Sequence, residues 1–249
     1  MSKRDRDGNM RFNEPKQKPA APESQFTPMF LKFRDELDEH HDRRERIVKA
    51  SRDVTALSKK IVNKLGQLPA FAQKDITTRM EDIKTILGSI EKDTQGINRY
   101  RYANSLRCLE ELVEALSFSH YLETQTLISL EDTTKKVPAN VSITENDYMY
   151  GLFDLFGEMM RFATVTTAQT GQLAGVEGRN ILMDIHELSS CFEILPEIPT
   201  KDFRGKMEVM RTSVRKVEKL GYGLAIRGTE RPKGWVPDMK EDFDPSFFE

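Results

Sequence analysis

The sequence has few of the residues that most metal and redox sites need. It contains two cysteines and four histidines in 249 residues, with no CxxC pair and no Cys/His cluster at zinc-ligand spacing. A zinc site or a disulfide-stabilised scaffold is therefore excluded as the basis of the fold. Cys108 and Cys191 both fall in apolar helical patterns. This placement predicts two buried, reduced thiols and a protein of the cytoplasm and nucleus.

Long apolar runs and nucleotide-binding loops are also missing. No apolar stretch approaches the roughly 20 residues that a membrane span needs, and the N-terminus lacks the apolar core of a signal peptide. The chain has no P-loop, GxGxxG, GxSxG or HExxH motif. We therefore expect a soluble intracellular protein with no membrane partner. If it is an enzyme, carboxylates and a metal ion must carry its chemistry.

Charge and proline divide the chain into three parts. Residues 1–26 are polar and basic with hardly an apolar side chain, which predicts a disordered tail. Residues 231–249 hold three prolines and predict an irregular C-terminal tail. Between them, residues 27–230 show apolar residues at helical spacing and no convincing strand pattern. We predict a single all-α domain, an antiparallel bundle of about six or seven long helices.

Caps and breakers give approximate helix bounds. Thr27 and Pro28 begin a long first helix that has no Gly or Pro before Gly66. A second helix follows this turn, and a third is predicted from near Ile97 to about Ser129. The next segments are a linker over residues 131–143, a fourth helix that begins at a Thr144/Asp147 capping box and runs to about Gln169, a Gly-rich loop, a fifth helix over about 179–195 and a sixth from Thr200.

Two of these helices carry carboxylates in narrow stripes. At 100° per residue, one stripe of the third helix contains Arg107, Glu111, Glu114 and Phe118, and leucines and valine occupy the opposite side. One stripe of the fourth helix contains Asp147, Gly151, Asp154, Glu158 and Arg161, and most of its remaining surface is apolar. Helices that are apolar on most of their surface are usually buried.

Buried carboxylates are rare unless they are paired or bound to metal. The two helices can satisfy both stripes by facing one another, so that Glu111, Glu114, Asp154 and Glu158 converge. Such an all-oxygen site suits Mg²⁺ or Mn²⁺. Two alternatives stay open: the carboxylates are simply solvated, or Arg107 and Arg161 neutralise them in a structural ion-pair network.

Basic residues suggest where a polyanion would bind. Arg43, Arg44 and Arg46 lie close together in the charged middle of the first helix. Arg211 and Arg215 lie with Lys216 and Lys219 on the polar side of the sixth helix. Together with Arg107 and Arg161, these arginines are the candidate contacts for RNA phosphates.

The order and spacing of several segments are similar to those of the translin family. The similar segments span roughly residues 30 to 231 and include Leu37 to Asp53, Glu111 to Phe118, Asp147 to Gly151, Asp154 to Arg161, Lys216 to Glu218 and Arg227 to Glu230. The resemblance implies an all-α fold with long helices. It also implies assembly with translin into a closed hetero-oligomer, commonly described as an octamer.

The resemblance further implies an activity. The catalytic branch of the family consists of Mg²⁺-dependent endoribonucleases that act on single-stranded or structured RNA, including small-RNA passenger strands and transfer-RNA leader fragments. Its catalytic carboxylates correspond to Glu111, Glu114 and Asp154, with Glu114, Asp154 and Glu158 as metal ligands. The non-catalytic branch lacks counterparts of Glu111, Glu114 and Asp154, so this chain resembles the catalytic one.

Two other functions remain possible from sequence. All-α nucleotide pyrophosphohydrolases also use a Glu-x-x-Glu pair with a downstream acidic pair to bind Mg²⁺. A non-catalytic RNA- or DNA-binding subunit would instead hold its acidic stripes in ion pairs and bind no metal.

Overall fold

The fold is predominantly helical over the residues that the computed structural model describes, namely 24–67, 73–138, 141–176 and 178–227. The helices in chain order are α1 Thr27–Gln67, α2 Gln73–Ser89, α3 Ile97–Arg101, α4 Cys108–Thr124, α5 Leu130–Lys135, α6 Glu145–Thr170, α7 Ile181–Glu193 and α8 Lys201–Arg227. Six of them are long and two are short, which confirms the predicted all-α bundle. The helices in this part of the chain include none long and apolar enough to cross a membrane.

The described residues belong to two units, 24–42 and 43–227. The first unit is the N-terminal part of α1. Its N-terminal apolar stripe consists of Phe26, Phe30, Phe33 and Leu37, whose exposed fractions range from 50% to 68%. The spacing of four, three and four residues is that of a coiled-coil seam. Phe30 and Phe33 touch edge to face with their ring centroids 6.0 Å apart.

The second unit is built around α4 and α6. Helix α4 is buried on most of its circumference, as its apolar pattern predicts. Helix α6 packs against α4 and α8, and α7 packs against α8. Phe153 of α6 lies at the centre of this core, edge to face with Phe192 of α7 at 4.6 Å and with Phe203 of α8 at 5.7 Å. The facing of the two acidic helices therefore follows from burial of their apolar surfaces.

The predicted third helix is wrong in its bounds. Helix α3 ends at Arg101, a 3₁₀ turn spans Ala103–Ser105, and α4 begins only at Cys108. Helix α4 then ends at Thr124, because Gln125 adopts the left-handed conformation with φ of 54°.

Three smaller predictions are also corrected. The predicted linker contains the short helix α5, and the predicted Gly-rich loop contains a hairpin of β1 Gly175–Val176 and β2 Arg179–Asn180. Cys108 is buried as expected, whereas Cys191 is exposed, since its side of α7 is not covered.

The capping box is confirmed. The Thr144 hydroxyl accepts a hydrogen bond from the Asp147 backbone N–H, and the Asp147 carboxylate accepts one from the Thr144 backbone N–H. Asp147 also pairs with buried Arg99. The Asp147 carboxylate is thus used in the helix cap and in an ion pair at the start of α6. It does not join the other carboxylates of its stripe. The predicted tails, residues 1–26 and 231–249, lie almost entirely outside the described residues.

Candidate active site

The four carboxylates selected from sequence line one cavity. Glu111 and Glu114 reach it from α4, and Asp154 and Glu158 reach it from α6. The cavity has a volume of about 390 Å³. The rest of its wall comes from α1, α6 and α8: Lys59, Val62, Asn63, Phe153, Gly157 and Val209. The structure thus brings together side chains of two helices that are 40 or more residues apart in the chain.

Glu114 is the most buried of the four. Only 8% of its surface is exposed. Burial, together with the negative charges of Asp154, Glu111 and Glu158, raises the pKa of Glu114 to about 8. No cation lies within ion-pair distance of Glu114 among the described residues. Its carboxylate is therefore a group that a cation would stabilise strongly.

The other three carboxylates each form an ion pair with a basic side chain. Lys59 Nζ lies 3.2 Å from Glu111 Oε1, and Arg161 Nη2 lies 2.6 Å from Glu158 Oε2. Lys206 Nζ donates to both carboxylate oxygens of Asp154, at 2.7 and 2.6 Å.

Sequence reasoning missed both lysines and the neighbouring carboxylate Glu110. Glu110 Oε2 lies 3.8 Å from Lys206 Nζ, and burial raises its pKa. A signal for Lys206 exists in the sequence. It follows Phe203 by three residues and precedes Met210 by four, and both of those side chains are buried, so Lys206 lies on the apolar side of α8.

The predicted arginine contacts do not form one surface around the cavity. Arg161 lies beside it, with Nη1 donating to Asn63 Oδ1 at 3.2 Å. Arg107 instead pairs with Asp202 at 2.7 Å. The remaining arginines lie on α1 and α8 with their own acidic partners: Arg43 and Arg46 with Asp93, Arg211 with Glu193, and Arg215 with Glu208. Arg44 is exposed. Their role in RNA binding stays a prediction.

The cavity fits a divalent cation in donor type and charge. Glu110, Glu111, Glu114, Asp154 and Glu158 carry five negative charges when ionised, and Lys59, Arg161 and Lys206 carry three positive ones, which leaves a formal charge of −2. Oxygen donors of this kind suit Mg²⁺ or Mn²⁺. In the present side-chain arrangement, no three acidic, histidine or cysteine residues of the described part lie close enough to hold a metal. A metal ion at this site would therefore need the carboxylates to come closer together than they are here.

A second cavity, of about 430 Å³, lies where α4, the hairpin and α7 meet. Buried Asp184 accepts hydrogen bonds there from Tyr121 Oη at 2.7 Å, from Gln125 Nε2 at 2.8 Å and from Arg179. Because these polar groups satisfy one another, the cluster holds the three elements together. Although this cavity is larger, its wall contains two carboxylates, whereas the wall of the carboxylate cavity contains four.

Comparisons with known sequences identify similar proteins. The model of the Translin family matches residues 42–228. The translin-associated protein X homolog of Schizosaccharomyces pombe is 30% identical over 210 residues, which cover 81% of this chain and 89% of that protein. Translin-associated protein X of Rattus norvegicus is 26% identical over 252 residues, covering 89% and 86%. Translin of Homo sapiens is 26% identical over 215 residues, covering 80% and 92%.

Solved structures with the same fold include two C3PO proteins. The apo-NeC3PO crystal structure has a TM-score of 0.62 at 18% identity and covers 77% of this chain and 94% of its own. The AfC3PO–duplex RNA complex has a TM-score of 0.60 at 16% identity and covers 82% and 100%. At these identities the likeness shows the fold alone.

Proposed function

This chain belongs to the translin family, and we propose that it is the catalytic subunit of a Mg²⁺-dependent endoribonuclease that assembles with a translin partner. The observation that carries the proposal is the convergence of Glu111, Glu114, Asp154 and Glu158 on one cavity. Similarity to translin-associated protein X and to translin supports the family role and the partner. RNA as the ligand is supported by the AfC3PO complex with duplex RNA.

In this proposal Glu114, Asp154 and Glu158 hold the metal. Mg²⁺ held by these residues would supply a water of lowered pKa and a positive charge that balances the charge of the reacting phosphate. Glu111 lies in the same stripe, one helical turn before Glu114. It orients the attacking water and accepts its proton. Glu111 suits this role because it is less buried than Glu114 and holds only the exposed Lys59.

In this proposal the basic side chains around the cavity bind the substrate. Arg161 and Lys59 have exposed side-chain fractions of 43% and 60%, so both can reach from the cavity towards solvent. A guanidinium at the cavity rim can pair with phosphate oxygens. We propose small-RNA passenger strands and transfer-RNA leader fragments as substrates and a hetero-octamer as the assembly, in line with the family resemblance.

One rival function is favoured by a specific observation. Three of the four cavity carboxylates are ion-paired, to Lys59, Arg161 and Lys206. A non-catalytic RNA-binding subunit would keep these pairs permanently, and metal would have no effect on it. A nucleotide pyrophosphohydrolase would instead hydrolyse free nucleoside triphosphates.

The test is a cleavage assay on single-stranded RNA, with and without Mg²⁺ and with and without a translin partner. Wild type is compared with Asp154→Asn and with the control Asp132→Asn. In wild type the Asp132 carboxylate pairs with Lys135 on α5, outside the cavity. We expect Mg²⁺-dependent cleavage by wild type and Asp132→Asn, and loss of cleavage with a retained fold and assembly in Asp154→Asn. RNA binding without cleavage at any metal concentration would establish the structural subunit. Hydrolysis of triphosphates without RNA cleavage would establish the pyrophosphohydrolase.

A further inference from the structure

Lys206 is the cation of the carboxylate cavity that contacts both oxygens of one carboxylate. Its ammonium donates to both oxygens of Asp154, at 2.7 and 2.6 Å, and to the Tyr150 carbonyl at 3.4 Å. It also lies 3.8 Å from Glu110 Oε2 and 5.6 Å from the centre of the Tyr150 ring. These contacts use the hydrogen-bonding capacity of the ammonium group and hold it on the side of α6 that carries Asp154.

The three cations of the cavity differ in how firmly they are held. The exposed side-chain fraction is 60% for Lys59 and 43% for Arg161, but only 20% for Lys206. Ion pairs between exposed side chains contribute little, because water and salt screen them. A partly buried pair in which one ammonium reaches both carboxylate oxygens is stronger. Of the three cations, Lys206 is therefore the hardest to displace.

Lys206 and a metal ion need the same atoms. An ammonium that donates to both oxygens of Asp154 takes a lone pair on each of them and places a positive charge where a divalent cation bound by both oxygens would lie. Lys206 belongs to α8 and Asp154 belongs to α6. Separating the two side chains therefore changes a contact between two packed helices.

We propose that Lys206 competes with the divalent cation for Asp154. This inference rests on the proposed metal site. The metal site assembles only when the Lys206–Asp154 pair opens. Lys206 is thus a positioning residue: it keeps Asp154 in place while no metal is bound, and it sets the metal concentration at which the site fills. Removal of its charge leaves the Asp154 carboxylate without this ion pair and makes the net charge of the cavity more negative by one unit. Both changes favour binding of a divalent cation.

The direct test measures Mn²⁺ binding to the full chain by electron paramagnetic resonance of the free ion. Lys206→Met removes the ammonium and keeps the length of the side chain. Lys219→Met is the matched control, since it removes the same charge from the same helix about 20 Å away along its axis. Lys206→Arg keeps a cation beside Asp154. Thermal melting in the absence of metal shows whether each variant folds.

We expect Lys206→Met to bind Mn²⁺ about tenfold more tightly than wild type, a factor that corresponds to about 1.4 kcal/mol, the order of one charge-assisted hydrogen bond. Lys219→Met and Lys206→Arg should stay near the wild-type affinity. Equal affinities of wild type and Lys206→Met would overturn the inference and leave the proposed nuclease intact. Absence of Mn²⁺ binding by every variant would overturn the inference and the metal-dependent function together.

A second measurement uses the unaltered protein. Amine acetylation followed by mass spectrometry reports how accessible each lysine is. Displacement by metal predicts that Mg²⁺ increases acetylation of Lys206, while acetylation of Lys219 on the same helix stays constant. Unchanged or reduced acetylation of Lys206 at a Mg²⁺ concentration that supports RNA cleavage would overturn the inference, even if Lys206→Met failed to fold.

Discussion

Gly151 of α6 lies against Val113 of α4 with no space for a side chain between them. A Cβ atom at Gly151 would lie 2.6 Å from Val113 Cβ and 2.6 Å from the Glu110 carbonyl oxygen. Both distances are shorter than real Cβ contacts. This close approach lies one turn before Asp154 and beside Glu111. Glycine at position 151 therefore lets the two acidic stripes meet across one cavity.

The first prediction concerns this contact. Gly151→Ala forces α4 and α6 apart, so we expect the free energy of unfolding to fall by about 1–3 kcal/mol, the usual cost of overpacking. Gly157→Ala on the same helix is the control, because a Cβ there meets nothing within 4 Å. Its better helix propensity should raise stability by about 0.5–1 kcal/mol. Urea denaturation measures both. Equal stabilities of the two variants would show that the helices can separate without cost.

The second prediction is a pH dependence of stability that arises from Glu114. Its pKa in the folded protein is about 8, against an ordinary value of 4.5, so between these values the folded state binds the proton and the unfolded state does not. Stability in the absence of metal should therefore fall as pH rises from about 4.5 to about 8. Glu114→Gln removes the ionisation, and in EDTA at pH 8.5 it should be the more stable protein, by an amount on the order of a few kcal/mol. Melting curves across this range test the sign.

The third prediction separates the roles of Glu111 and Glu114. Glu114→Gln removes a metal ligand, so high Mg²⁺ should partly restore its RNA cleavage rate. Glu111→Gln removes the group that takes the proton, so its rate should fall by about 10²- to 10⁴-fold, and added metal should not restore it. A Mg²⁺ titration of the cleavage rate compares the variants. Rescue of Glu111→Gln instead would exchange the two roles, and unchanged rates in both would make the acidic stripes structural.

The fourth prediction concerns RNA binding. Charge reversal in the α1 group (Arg43, Arg44 and Arg46) or in the α8 group (Arg211, Arg215 and Lys216) should weaken RNA binding. Each lost phosphate contact should reduce the slope of log K against log salt by about 0.7 for single strands. Because Arg43 and Arg46 also pair with Asp93, the exposed Arg44 is the cleanest single change. An unchanged slope after reversal of both groups would place the RNA surface elsewhere.

The fifth prediction concerns the N-terminal apolar stripe. Isolated chain should self-associate and become well behaved with its partner, since exposed contiguous apolar side chains mark interaction sites or aggregation liabilities. Phe30→Ser combined with Leu37→Ser should reduce self-association of the isolated chain. The paired control changes Lys32 and Glu36 on the same segment to Ser. Sedimentation velocity over a range of concentrations compares them. A monodisperse wild-type monomer would remove the stripe as a cause.

Much of the candidate site was accessible from sequence because it lies on two regular helices. Residues three and four apart share one face of a helix, so Glu111 with Glu114, and Asp154 with Glu158, were identifiable as stripes on apolar helices. The apolar remainder predicted that both helices are buried, and mutual facing was one arrangement that satisfies two buried acidic stripes. The all-α class and the Thr144/Asp147 cap were determined by equally local patterns.

Tertiary structure alone decided what the carboxylates contact. Lys59 and Lys206 lie about 50 residues before and after the two stripes, on α1 and α8, and no periodicity within one helix links them to Glu111 or Asp154. The break between α3 and α4 and the exposure of Cys191 depended likewise on how neighbouring elements pack. The raised pKa of Glu114 arises from burial and from charges on two helices. Local sequence determines which groups share a helix face, but the charge balance of a cavity depends on every element that reaches it.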